Sequence, residues 1–282
     1  MTADAPDTPL PDETRLGRVA LRVEDLDEMT AFYRRVVGLD VLERSDAAAT
    51  LGAGDDPVLR LVRDAAAAPR DRSQAGLFHS AFRVPSRTAL GAALERVRER
   101  WTLSGASDHD VSEALYLSDP EDNGVEIYRD RPREAWPRSA DGTAEMGTYP
   151  LDLESLAEAS DGAADAPTGT DLGHVHLEAT SLPDARSFYV DALGFGVQVE
   201  DRGALFLAAG DYHHHVGVNT WNRRTSPAGG RGLSWFEIVV PDTETLVAVR
   251  DRLADAGVES REIDRGIEVR DPDDVAVRLR AE

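Results

Sequence analysis

Apolar and polar residues alternate in short runs along much of this chain, and helical stretches separate some of the runs. Residues 18–26 alternate as a half-buried strand does. Residues 27–37 have helical spacing that ends at Gly38, a residue suited to the end of a helix. Three strand-like runs follow, at 40–44, 48–52 and 57–63. This order predicts one βαβββ unit in the first 63 residues.

The same order of elements restarts three times. The second unit is predicted as a strand at 77–84, a helix at 86–100 and strands at 103–107, 113–118 and 124–129. The third unit starts at residue 172 and the fourth at residue 232. The chain is therefore predicted to have an α+β fold of four βαβββ units, arranged as two tandem domains.

The two halves of the chain repeat each other. AFYRRVVGLDV at 31–41 matches SFYVDALGFGV at 187–197, an offset of 156 residues. SDPEDNGVEIY at 118–128 matches RDPDDVAVRLR at 270–280, an offset of 152 residues. Repeats of this length indicate a duplicated structural unit, which sets the domain boundaries.

Four segments follow from these repeats. Residues 1–14 are acidic and polar, and we expect them to be disordered. Residues 15–131 form the first domain and residues 171–282 the second, each with two units. The segment 132–170 is rich in Pro, Gly, Ala and Asp, which is typical of a connection that crosses the surface. It contains one short helical candidate, LDLESLAEA.

Composition narrows the functional classes. The formal net charge is −22, with 53 acidic and 31 basic residues, and every basic side chain is an arginine. This acidic balance argues against nucleic acid or an anionic membrane as a partner. It also predicts a salt-loving host, because salt screens the repulsion between the negatively charged side chains. No apolar run approaches 18 residues and no secretory signal is visible, which predicts a cytoplasmic protein. There is no cysteine, so a metal site must use His and carboxylate.

Two of the seven histidines occupy equivalent places in the repeat. His79 and His174 each lie early in the first strand of a unit, and Glu126 lies in the last strand of the second unit. Two imidazoles and one carboxylate are the ligand set of non-haem Fe(II). Any one of these residues alone is more often a satisfied core histidine or a solvated glutamate. Their equivalent positions favour a metal site.

The chain resembles the vicinal oxygen chelate superfamily, which contains glyoxalases, bleomycin-resistance proteins and extradiol dioxygenases. The resemblance covers about 15–130 and 171–282, and is most specific in GHVHLEATSLPDARSFYVDALGF, GDYHHHVGVNTW and DHDVSEALYLSDPEDNGVEIYRDRPR. These segments are similar to those of two-domain bacterial catechol 2,3-dioxygenases. The resemblance implies paired βαβββ units curled around a divalent metal, with His174, His79 and Glu126 as ligands. His176 shares a strand face with His174 and is the alternative ligand.

This ligand set pairs the second unit with the third, and leaves the first to pair with the fourth. The equivalent positions of that other pair are Arg18, Trp235 and Arg278, none of which is a metal ligand. One complete site and one lost site is the pattern expected of a duplicated enzyme. Many extradiol enzymes carry all three ligands in the C-terminal half, whereas here the set is split between the halves.

The resemblance also implies three catalytic residues. His214, in HHVGV, fits the strand histidine of extradiol dioxygenases, and Tyr116 lies ten residues before Glu126, as their tyrosine does. His109 is the candidate for a further histidine that precedes the tyrosine. Strand alternation would place His214 on the face opposite His213 and His215. Phe206 and Trp221 are candidate wall residues for a flat ring.

The sequence thus predicts an Fe(II)-dependent extradiol dioxygenase that opens a small aromatic diol with O2 to give a muconic semialdehyde. The same ligands would also hold Mn(II). Two alternatives stay open: a metal-dependent glyoxalase or thiol-transferase type of enzyme, and a non-catalytic protein that binds an aromatic drug. A monomer and a homo-oligomer both fit the sequence.

Overall fold

A computed structural model describes residues 9–140, 142–201 and 203–282. The N-terminus predicted to be disordered, 1–14, therefore lies mostly outside the described residues. Its last residues, 9–14, pack against the fold: Leu10 and Thr14 are buried, and the Leu10 amide donates to the Gly194 carbonyl at 2.9 Å.

The first two units have the predicted order of a strand, a helix and three strands. The first consists of β1 (Arg15–Val23), α1 (Leu26–Phe32), β2 (Asp40–Arg44), β3 (Ala48–Ala53) and β4 (Asp56–Arg63). The second consists of β5 (Gly76–Arg83), α2 (Arg87–Arg100), β6 (Gly105–Asp108), β7 (Ser112–Ser118) and β8 (Gly124–Asp130).

The connection between the halves contains a 3-10 turn (Arg133–Ala135), the two-residue strand β9 (Tyr149–Pro150) and α3 (Leu153–Glu158). The predicted helix is α3, which begins because the Asp152 side chain accepts from the Glu154 and Ser155 amides. Strand β9, which the sequence did not predict, pairs with β6.

The last two units repeat the order of the first two. The third consists of β10 (Asp171–Glu178), α4 (Leu182–Arg186), β11 (Gly196–Asp201), β12 (Ala204–Ala208) and β13 (Val216–Asn219). The fourth consists of β14 (Gly232–Val240), α5 (Thr243–Asp255), β15 (Arg261–Ile263), β16 (Gly266–Arg270) and β17 (Ala276–Ala281).

The strands form two mixed sheets. One has eight strands in the order β15-β16-β17-β14-β1-β4-β3-β2, and the other has nine in the order β11-β12-β13-β10-β5-β8-β7-β6-β9. The first and fourth units thus share one sheet, and the second and third share the other, as the split ligand set predicted. The α+β fold of four βαβββ units is confirmed. The domain boundaries at 15, 131 and 171 stay a prediction.

The repeated Phe-Tyr motif has a structural role. Helices α1 and α4 each continue into a π-helical turn, Tyr33–Val37 and Ser187–Ala192. In the first, the buried Tyr33 hydroxyl donates to Asp119 Oδ2 at 2.9 Å. Asp119 also accepts from the Asn123 amide at 2.9 Å, which fixes the turn that leads into β8. The tyrosine therefore supports the strand that carries Glu126.

No helix among the described residues is long and apolar enough to cross a membrane.

Candidate metal centre

The three candidate ligands are held by strands of one sheet. His79 is the fourth residue of β5 and His174 the fourth residue of β10, while Glu126 is the third residue of β8. Strands β5 and β8 run parallel, with His79 opposite Gly124 and Ala81 opposite Glu126. Because side chains alternate along a strand, this register places His79 and Glu126 on the same face.

His79, Glu126 and His174 are buried, and each offers one ligand atom within 4.8 Å of the other two. His79 Nε2 and Glu126 Oε2 lie 2.9 Å apart. Two ligands at right angles on an octahedral ion with bonds of ~2.1 Å lie ~3.0 Å apart. The donor set and this separation therefore fit a divalent transition metal. The assignment of these residues as ligands stays a prediction.

Tyr116 and His109 form a hydrogen-bonded pair next to His79 and Glu126. Tyr116 is the cross-strand partner of Glu126, and its ring centroid lies 5.7 Å from that of His79. The Tyr116 hydroxyl lies 2.8 Å from His109 Nε2. Burial, and then the charge of Glu126, raise the pKa of Tyr116 well above its ordinary value, so the phenol stays protonated.

The other ring nitrogen of His109 fixes the direction of this hydrogen bond. His109 Nδ1 lies 2.8 Å from the Gly147 carbonyl oxygen, which can only accept. Nδ1 therefore carries the proton in the neutral ring, and Nε2 accepts the proton of the Tyr116 hydroxyl.

Two histidines of the run His213 to His215 lie close to His174. The His214 ring centroid lies 4.1 Å from that of His174, and the His213 centroid lies 6.1 Å away. His213 Nδ1 and His214 Nδ1 are 2.8 Å apart. The Ala209 amide donates to His215 Nδ1 at 3.2 Å, so that this nitrogen is already occupied.

The predicted alternation of these histidines is wrong, because strand β13 begins only at Val216. His213 to His215 lie in the irregular segment before it, where strand alternation does not apply. His213 and His214 are consequently both near His174, rather than on opposite faces.

His176 occupies a different environment from His174. Its ring contacts three aromatic rings edge-on or tilted, with centroids 5.3 Å from Phe78, 5.5 Å from Phe206 and 5.3 Å from Trp221. The His214 ring also meets Phe206, at 5.1 Å. His176 is therefore part of an aromatic wall that runs from His214 to the half-exposed Trp221. Phe206 and Trp221, the two candidate wall residues, both contact the His176 ring, and their role toward a substrate stays a prediction.

Two features of the site were missed from the sequence. Phe78 belongs to the aromatic wall, and its position gave no signal, because neighbouring residues of a strand are expected on opposite faces. Glu178, two residues beyond His176 on β10, is buried and pairs with Arg70 and Arg224. Strand alternation could have predicted which face of β10 Glu178 lies on. Its two arginine partners could not be predicted, because they lie in loops that have no sequence pattern.

The equivalent positions of the eight-stranded sheet hold ion pairs instead of ligands. The Arg278 guanidinium carbon lies 4.0 Å from the centroid of the Trp235 ring, and the Arg18 carbon lies 5.7 Å from it. Arg278 pairs with Glu268 at 2.8 Å and Arg18 with the buried Glu237 at 3.1 Å. The two arginines at these positions oppose the binding of a second cation, and the tryptophan supplies no ligand atom.

Paired βαβββ units with two histidines and a glutamate on their strands define a class of metal-binding proteins. The chain belongs to the Glyoxalase/Bleomycin resistance protein/Dioxygenase superfamily, which its sequence matches over residues 15–127 and 171–279. It is 38% identical over 274 residues to a Bacillus subtilis protein named catechol-2,3-dioxygenase, covering 94% of this chain and 96% of that protein.

Solved structures support the fold alone. A Bacillus subtilis structure named as a candidate dioxygenase has a TM-score of 0.66 at 14% identity, over 97% of this chain and 86% of the other. Maize glyoxalase I has a TM-score of 0.60 at 16% identity, over 95% of this chain and 92% of the other.

Proposed function

We propose that this protein is an Fe(II)-dependent extradiol dioxygenase that opens a catechol-type ring with O2 and gives a muconic semialdehyde. The observation that carries the proposal is the buried group of His79, Glu126 and His174, whose ligand atoms lie within 4.8 Å of one another. The 38% identity to a protein named catechol-2,3-dioxygenase, over nearly the whole of both chains, supports an oxidoreductase of this type.

The metal would be held by His79, Glu126 and His174 and would supply a Lewis acid and a template for two reactants. Two imidazoles and one carboxylate leave open positions on such an ion, which substrate oxygens can occupy. The same three ligands would also hold Mn(II), so the choice of iron as the metal is itself proposed.

The side chains around this group have separate roles. Tyr116, next to Glu126, would bind a catechol oxygen, because its hydroxyl is held by His109 at 2.8 Å. His214, whose ring is tilted against that of His174 at a centroid distance of 4.1 Å, would donate and accept protons at the reacting oxygens. The wall of Phe78, His176 and Phe206 would contact the flat face and substituents of the ring.

The test is to load the metal-free protein with Fe(II) without oxygen, add catechol, and then admit air while recording the visible spectrum. We expect a yellow ring-fission product that His174→Ala abolishes. Iron that binds while catechol stays unchanged would favour the isomerase or thiol-transferase class. No iron binding and tight binding of an aromatic compound would favour the non-catalytic alternative.

A further inference from the structure

The connection between the two halves reaches the candidate active site through Gly147. The Gly147 carbonyl accepts from His109 Nδ1 at 2.8 Å, and the Gly147 amide donates to the His109 carbonyl at 3.3 Å. The segment around Gly147 is anchored further by β9, where Tyr149 pairs with Asp108 in strand β6. These contacts hold the carbonyl beside the imidazole.

The glycine at this position leaves room for two neighbouring side chains. A Cβ atom on Gly147 would lie 2.2 Å from the Tyr149 ring and 2.5 Å from Asp110 Oδ2, well inside van der Waals contact. A side chain at this position would have to displace the Tyr149 ring and the Asp110 carboxylate, or move the Gly147 carbonyl relative to His109 Nδ1.

We infer that Gly147 is a positioning residue, whose carbonyl fixes the tautomer of His109 and thereby turns Tyr116 into a hydrogen-bond acceptor toward the substrate. With the proton on Nδ1, the bare Nε2 takes the single hydroxyl proton of Tyr116. The Tyr116 oxygen then has only lone pairs to offer on its other side. With the opposite tautomer, Nε2 would donate and Tyr116 would have its proton free for the substrate.

This arrangement selects the chemical class of group that Tyr116 can bind. It favours a free hydroxyl, which donates, over an ether or a ketone oxygen, which only accepts. This consequence rests on the proposed function, in which a catechol hydroxyl would be that donor. The tautomer itself does not rest on it, because it is a property of the protein without metal or substrate.

The experiment is long-range 15N–1H correlation spectroscopy of the seven histidine rings in the metal-free, full-length protein, well above the ordinary histidine pKa of ~6.5. The His109 ring is identified as the one that disappears in His109→Gln. We expect it to carry its proton on Nδ1. A ring with the proton on Nε2 would overturn the inference directly in the wild-type protein.

Gly147→Ala tests the cause of that tautomer. We expect the ratio of the Nδ1–H to the Nε2–H form to fall on the order of fivefold, which corresponds to the loss of one ordinary hydrogen bond. Gly105→Ala is the matched control, because Gly105 lies beside Tyr116 and a Cβ there would meet nothing closer than the Tyr116 ring, at 4.0 Å. An unchanged His109 ratio in folded Gly147→Ala would contradict the role of Gly147.

If Gly147→Ala does not fold, the double variant Gly147→Ala with Tyr149→Ala relieves the closer contact and leaves the one with Asp110 Oδ2, at 2.5 Å, and the same ratio is measured there. The tautomer of His109 in the wild-type protein remains decisive in either case. In the iron-loaded enzyme, Gly147→Ala is expected to lower kcat for catechol about tenfold while iron binding is unchanged. The spectra and the turnover are separate readouts, so a failed dioxygenase assay leaves the tautomer result intact.

Discussion

His79 Nε2 and Glu126 Oε2 lie 2.9 Å apart on neighbouring parallel strands, although the two residues are 47 positions apart in sequence. Both side chains are buried, so the carboxylate has lost most of its hydration and depends on close polar neighbours. A bound divalent cation would satisfy both groups together with His174.

Glu126→Gln should therefore abolish tight metal binding while the fold persists, because the amide keeps the shape and loses the charge. We expect metal affinity to fall at least about 100-fold, and the thermal stabilisation by added Fe(II) or Co(II) to disappear. Calorimetric titration and thermal melts measure the two effects. The exposed Glu158→Gln on α3 is the control and should behave as wild type.

The metal content should be one ion per chain. The equivalent positions of the other sheet carry Trp235, which is not a metal ligand, and Arg18 and Arg278, which repel a cation. Metal analysis of the reconstituted protein should give one equivalent, falling to near zero in His174→Ala. A second equivalent that survives in His174→Ala would show that another site exists.

The outline of the fold could be predicted because it repeats along the chain. From their places in the repeat and from the resemblance to the superfamily, His79, Glu126 and His174 were predicted as ligands. The role of Gly147 was not predicted, because a backbone carbonyl leaves no residue-type signal and its segment has no periodicity. The prediction that His213 and His214 lie on opposite strand faces was wrong. Strand β13 starts only at Val216, and this start depends on pairing with β10 and β12, which the local sequence does not specify.

The stability of the protein should depend on pH through two buried aspartates in equivalent places. Burial raises the pKa of Asp119 to about 6, and also that of Asp271 to about 6, against ordinary values near 3.9. Each is hydrogen-bonded to a tyrosine hydroxyl at 2.9 Å, Tyr33 and Tyr189 respectively.

Because the folded pKa is raised, each group stabilises the fold fully below about pH 4, and this contribution is lost as the pH rises to about 6. The free energy of unfolding of wild type minus that of Asp119→Asn should therefore fall by about 2 kcal/mol between pH 4 and pH 6.5. Urea unfolding at a series of pH values measures it, and Asp271→Asn should give a similar slope. A difference that stays constant with pH would contradict the raised pKa.

Salt should stabilise this protein. At a net charge of −22 the repulsion between surface carboxylates opposes folding, and an ionic strength of 1 M reduces the screening length to about 3 Å. We expect the melting temperature to rise with NaCl concentration from 0.05 to 2 M. An equal osmolality of sucrose serves as the control for general solute effects, and a melting temperature that falls with NaCl would show that ion pairs outweigh the repulsion.

His214 should be needed for turnover and not for metal binding. Its ring lies against His174 at a centroid distance of 4.1 Å and meets Phe206 at 5.1 Å, so it lies between the metal group and the aromatic wall. An imidazole at this position can exchange protons with the reactants, and its loss typically costs 10²- to 10⁴-fold. His214→Asn should therefore lower kcat on the order of 100-fold, with iron affinity within about threefold of wild type.

His215→Asn is the matched comparison, because His215 Nδ1 already accepts from the Ala209 amide at 3.2 Å. The effect of this variant should therefore fall on stability rather than on kcat. Steady-state kinetics and thermal melts of both variants separate these outcomes. Equal losses of kcat in the two variants would mean that the histidine cluster acts through the structure of the segment, and not through the His214 imidazole.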